Sequence, residues 1–111
     1  MNVLAKKSFN QPDETKQLEK AKIEIITING KSLQKVTAEP GWQWSKHVKP
    51  IVGGESCQQD HLIYIVSGKL ASQMDSREKM EFNSGEVATI PPGHDGWTVG
   101  DERVVWIEIP H

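Results

Sequence analysis

The residues best equipped for chemistry are Glu55, Cys57, Gln59, His61 and His94. Side chains alternate along a strand with period 2, so an extended segment here would bring Glu55, Cys57, Gln59 and His61 to one surface. His94 follows directly on the Pro91-Pro92-Gly93 corner, which would deliver it to the same place. One thiolate and two imidazoles make a mixed S/N donor set suited to a divalent transition metal such as zinc, iron, nickel or manganese. Three protein ligands leave a coordination position open. Glu55 or Gln59 would then serve as a fourth ligand or orient a bound water. The plain alternative is that a lone cysteine packs as a small hydrophobe and a strand histidine merely hydrogen-bonds.

The tryptophans are the next candidates. Trp42 and Trp44 share one face of an expected strand over 42–48, and Trp97 follows the corner that carries His94. These three are read as the wall of a small-molecule pocket, since aromatic walls with a few convergent polar groups describe most ligand sites. Trp106 and at least one of the first pair are assigned to packing, because an indole carries a large apolar area. His47 and His111 are expected to be solvated, and Asp60 and Asp95 are the weaker candidates for a general base. The sequence holds no nucleophile elbow, no phosphate-cradling glycine loop followed by Lys-Ser/Thr, and no paired-cysteine zinc motif.

The elements that must position these groups are short strands. A chain of 111 residues is expected to form one domain. Residues 1–21 are polar and poor in large apolar side chains, and are read as an arm or one short helix packing on the domain formed by 22–111. From Lys22 the texture changes to β-branched runs separated by turn signals. The segment 23–28 is apolar on both faces, Asn29-Gly30 is a strong hairpin signal, and 32–38 reads as the returning strand. Further strands are expected over 55–66, 69–74, 78–82, 86–90 and 103–109. Leu62 and Tyr64, on the face away from His61, are expected to pack against a second sheet or a partner chain. Such spacing, with almost no helical periodicity, predicts an all-β sandwich or barrel.

Charge and cysteine content exclude several classes. Thirteen basic and fifteen acidic residues give a formal net charge of −2, with no basic field for nucleic acid or an anionic membrane. No apolar run reaches the length of a membrane span, and Cys57 alone cannot form an internal disulfide. A cytoplasmic protein is the expectation.

Gly85-Glu-Val-Ala-Thr-Ile-Pro91-Pro-Gly93 resembles the second sequence motif of cupins, and His61-Leu-Ile-Tyr-Ile-Val-Ser-Gly68 has the length and alternation of the first. The string Pro40-Gly-Trp-Gln-Trp-Ser45, with Ser56-Cys-Gln58 and Pro91-Pro-Gly-His-Asp-Gly-Trp97, is similar to a subgroup of small, mostly uncharacterised bacterial cupins. The resemblance implies a jelly-roll β-barrel, commonly a homodimer, with a metal or small-molecule site inside. It also implies departures from the usual ligand set. His61 stands at the family's metal-binding Glu position, and Glu55 and Cys57 fall at its His-x-His. Gly96 takes the place of the last His, with His94 nearby. The expected function is metal or small-molecule binding. The alternative is a metal-dependent enzyme resembling small cupin dioxygenases, isomerases or lyases.

Overall fold

The computed structural model describes residues 3–110, so His111 lies outside the described residues. Among the described residues, nine strands form two antiparallel sheets. The first six elements are β1 (Glu14–Leu18), β2 (Ala21–Ile28), β3 (Lys31–Ala38), the one-turn helices α1 (Trp44–His47) and α2 (Lys49–Val52), and β4 (His61–Ser67). The remainder are β5 (Lys69–Met74), β6 (Lys79–Asn83), β7 (Val87–Ile90), β8 (His94–Thr98) and β9 (Val104–Glu108). The larger sheet runs β1-β2-β3-β9-β4-β7 and the smaller β6-β5-β8. No helix among the described residues is long and apolar enough to cross a membrane.

Local sequence explains most of these elements. Asn29 and Gly30 take φ of 49° and 77°, and the strands they join pair in register from Ile28 opposite Lys31 to Ala21 opposite Ala38. That geometry is the two-residue turn that matches strand twist. The inner face of the larger sheet can be followed across its ladders. Ile23, Val36, Trp106 and Ile65 stand side by side, and Gln34, Glu108 and Ile63 form the adjacent row. Ile63, Ile65 and Val104 are the largest fully buried side chains. Burying each isoleucine contributes about 1.5–3 kcal/mol relative to leaving it exposed.

The structure departs from the expected elements in four places. Glu14–Leu18 is an edge strand paired with β2, so this part of the expected arm or helix is extended and the sheet starts before Lys22. The segment expected as a strand over 42–48 turns into α1 and α2. The physical reason lies on β8, where the Asp95 carboxylate accepts the Ser45 N–H at 3.0 Å and the Gln43 side-chain amide at 2.8 Å, satisfying a free donor of the helix start. Pro50 in the first turn of α2 suits a helix start as well. The strand expected over 55–66 begins only at His61, because Cys57 pairs with His94 of β8 in an isolated bridge and residues 55–60 form a loop around that contact. Lastly, 94–98 forms β8, where the turn-like Pro-Pro-Gly and the interspersed glycines concealed a strand.

Gly68 makes the tight β4–β5 turn at φ 77°, and a Cβ there would overlap the Arg103 carbonyl oxygen and the Val104 Cα. Gly68→Ala is therefore expected to lower unfolding stability by roughly 3 kcal/mol, from positive-φ strain and backbone overlap together. Urea denaturation checks this, and a loss within experimental error would contradict it.

Candidate functional site

The site is built on three pieces of chain that meet at one end of the inner face. His61 is the first residue of β4 and His94 the first of β8. Cys57 lies in the loop before β4 and is held by a backbone bridge. Its N–H donates to the His94 carbonyl at 2.7 Å, and its own carbonyl accepts from Gly93 at 2.7 Å and His94 at 3.2 Å. The ligand atoms of Cys57, His61 and His94 all lie within 4.8 Å of one another. Cys57 Sγ is 3.7 Å from His61 Nε2, and the two imidazoles meet edge to face at 5.0 Å.

Each imidazole is oriented from behind. His94 Nδ1 donates to the Pro91 carbonyl at 2.7 Å, which leaves Nε2 as its free ligand atom. His61 Nδ1 bonds the Glu108 carboxylate, so its Nε2 faces Cys57. A carboxylate or carbonyl behind a histidine is the usual way proteins orient metal-binding imidazoles. The donor chemistry thus fits a divalent transition metal, with one thiolate and two imidazole nitrogens converging.

The electrostatics run the same way. Burial disfavours a Cys57 thiolate, but hydrogen bonds from His61 and His94 outweigh it and bring the thiol from 9.0 down to about 6. Burial likewise disfavours a charged His61, but the Cys57 sulfur and the Glu108 carboxylate outweigh it and raise the imidazole from 6.5 to about 9. Without a metal, the pair is a thiolate and an imidazolium near neutrality.

A cavity of about 670 Å³ adjoins the cluster. Trp42, Trp44 and Trp106 line it, together with Gln59, Gln34 and Lys16. Trp42 and Trp106 pack at 5.9 Å between ring centroids, so Trp106, read as packing, both packs and lines the cavity. Trp97 takes no part in the lining. It alternates with Gly96 and Thr98 on β8, and its ring lies under the Lys79 ammonium at 5.6 Å. Glu55 is exposed and outside the lining, because the loop over 55–60 has no strand alternation to turn it inward. Gln59 is exposed at the cavity's edge.

Other side chains also differ from expectation. His47 is not solvated. Its side chain is 11% exposed, Nδ1 accepts from the Gln43 N–H at 3.1 Å, and Nε2 is 3.9 Å from Glu19. Asp95 is committed to holding α1, and Asp60 is exposed. Tyr64 is exposed and Leu62 half-buried on the outer face, so of the two expected packings it is the one against a second sheet of this chain that the fold does not provide. Glu108 is the functional residue that sequence reasoning missed. Its signal was present: β9 puts Val104, Trp106 and Glu108 on one face, and an acid on the inward face of an apolar strand needs a partner.

No family model matches the sequence, and no curated protein matches it. Solved structures do match the fold. The oxalate decarboxylase of Lactobacillus farciminis, in a formate complex, superposes with a TM-score of 0.61 at 20% identity over 86% of this chain and 30% of that one. A variant of the Bacillus subtilis oxalate decarboxylase gives 0.63 at 26% identity over 87% and 27%. A cupin-like protein of Thermotoga maritima gives 0.56 at 22% identity over 80% and 66%. Fold and neighbours together define a small cupin-like β-barrel domain. The chain spans less than a third of the two decarboxylases.

In metal-free protein, the rate of Cys57 alkylation by iodoacetamide should rise with a midpoint near pH 6. His61→Ala removes the main hydrogen bond to the sulfur and should move the midpoint upward. A wild-type midpoint near 9 would contradict the thiolate–imidazolium pair.

Proposed function

We propose that the protein binds one divalent transition metal through Cys57, His61 and His94 and a small molecule in the adjoining cavity. The observation that carries this reading is the convergence of three ligand atoms within 4.8 Å at the edge of a cavity. Glu108 fixes the tautomer of His61 and raises its basicity, and the Pro91 carbonyl does the same for His94. The Cys57–His94 backbone bridge sets the loop ligand against the strand ligand. A metal held this way would act as a Lewis acid toward an oxygen of the bound molecule. Gln59, at the cavity's edge, would orient a water or the ligand, whereas Glu55 is exposed and outside the cavity lining.

A metal-dependent enzyme of this fold is the second reading. It is favoured by the cavity that opens on the cluster, since a purely structural metal is closed off by protein ligands. The resemblance to cupins also supports a homodimer in solution, which sedimentation at micromolar concentration would test. A monomeric mass would refute it.

Elemental analysis of untagged protein is the direct experiment. Wild type should hold metal in stoichiometric amount after reconstitution, and Cys57→Ser and His61→Ala should each lose most of it while keeping the β-sheet circular dichroism spectrum. Glu108→Gln should retain the site but weaken metal affinity by about 10–100-fold, the usual effect of losing a carboxylate behind a ligating histidine. Unchanged occupancy in both ligand variants would remove them from the site.

A further inference from the structure

The cavity is chemically lopsided. Trp42, Trp44 and Trp106 supply much of its wall, and beyond the Cys57–His61–Glu108 group the charge on its lining is that of Lys16, exposed on the edge strand β1. Away from the metal ligands, a small dianion would lose its hydration in exchange for one rim ammonium, a poor exchange in an apolar space. A flat apolar body would gain from the same walls by area burial and ring stacking. The volume of about 670 Å³ suits such a body.

Two further observations narrow the class. Trp42 is only 7% exposed, and its indole nitrogen is buried with no hydrogen-bond partner, the one such side-chain N or O atom among the described residues. Buried donors are nearly always paired, so an orphan on a cavity-lining residue points to an acceptor brought by a ligand. Gly96 is the second. It lines the cavity on the same face of β8 as His94 and lies outside the positive-φ glycines. A Cβ there would meet the Ala71 carbonyl oxygen at 3.5 Å, an ordinary contact. Neither backbone conformation nor crowding requires glycine at 96, and its effect is to leave space inside the barrel.

We propose that the cavity takes a flat, mainly apolar small molecule bearing one hydrogen-bond acceptor, an aromatic carboxylate or carbonyl compound. Its ring lies against the tryptophans in the space left by Gly96, and its acceptor receives the indole N–H of Trp42. This rests on the cavity being the ligand site of the proposed function, but the tryptophans and Gly96 are in place whether or not metal is bound.

Calorimetric titration with naphthoate, naphthalene and oxalate tests it on zinc-loaded and metal-free protein, with zinc content measured in each sample. Naphthoate should bind wild type, and naphthalene should bind at least tenfold more weakly. Trp42→Phe, which keeps a ring and loses the N–H, should weaken naphthoate about tenfold, or about 1.4 kcal/mol. Gly96→Val should abolish naphthoate binding and keep zinc. Oxalate displacing naphthoate from metal-free protein, or undiminished naphthoate binding by Gly96→Val, would overturn the proposal, as would equal affinity in wild type and a folded Trp42→Phe. Should Trp42→Phe fail to fold, the Gly96→Val result decides. Zinc bound without any naphthoate binding refutes this ligand class alone, whereas naphthoate bound without zinc refutes only the metal reading.

Discussion

The backbone bridge between Cys57 and His94 is the contact on which the site depends. Cys57 sits in a loop with no strand to hold it, and a loop side chain has little fixed position of its own. Three hydrogen bonds to Gly93 and His94 turn this short piece into a local extension of β8. They put a sulfur and two imidazoles in reach of one another although three separate segments supply them. The Pro91-Pro92-Gly93 corner makes the bridge possible, because Gly93 takes φ 92° and turns its N–H toward the Cys57 carbonyl. Asp75 packs beneath the corner, with its Oδ2 at 3.0 Å from where a Gly93 Cβ would stand. The same Oδ2 accepts from Ser56 at 2.9 Å, so one carboxylate supports both sides of the bridge.

Burying such a polar cluster beside an apolar cavity needs compensation. An isolated ionised group in a low-dielectric interior costs several kcal/mol. Here each polar side chain has a partner: Glu108 for His61, Pro91 for His94, and His61 for Cys57. Glu108 reaches inward because β9 alternates, and Gln34 stands opposite it in the ladder. The cluster lies at one end of the inner face, beside the apolar row of Ile23, Val36, Trp106 and Ile65.

How much of this the sequence disclosed depended on whether a residue obeyed strand alternation. The β class, the Asn29-Gly30 hairpin and the strands around His61 and Trp106 were legible from period-2 patterning and turn residues. Residue type and the Pro-Pro-Gly corner point to Cys57, His61 and His94, but the alternation that joins Cys57 to His61 in the sequence is absent from the loop over 55–60, and the bridge to His94 brings the sulfur inward instead. The rest failed where a tertiary contact overrides local pattern. Asp95 makes a helix start at Trp44 from a distant strand, and no window around Trp44 contains that carboxylate. Alternation over 55–61 points Glu55 inward, but residues 55–60 form a loop whose one ladder contact is the Cys57–His94 bridge, and Glu55 is exposed. Glu108 was overlooked although its position on β9 was correct, because an acid near the end of an apolar strand passes for a solvated residue.

The relation of His94 to Gly96 shows how a site can shift without a change of fold. Residues 94 and 96 lie on the same face of β8, two steps apart, so a ligand moved from one to the other stays inside the barrel and moves by one strand repeat, about 7 Å. At 94 the imidazole begins the strand, next to the Cys57 bridge and with the Pro91 carbonyl as its orienting acceptor. Space that a side chain at 96 would occupy becomes part of the cavity. A barrel that superposes on oxalate decarboxylases has here three metal-competent side chains beside a cavity lined by Trp42, Trp44 and Trp106. Backbone similarity at 20–26% identity reports the pleat and the strand order, whereas the inward side chains of β8 and β9 decide what the cavity accepts.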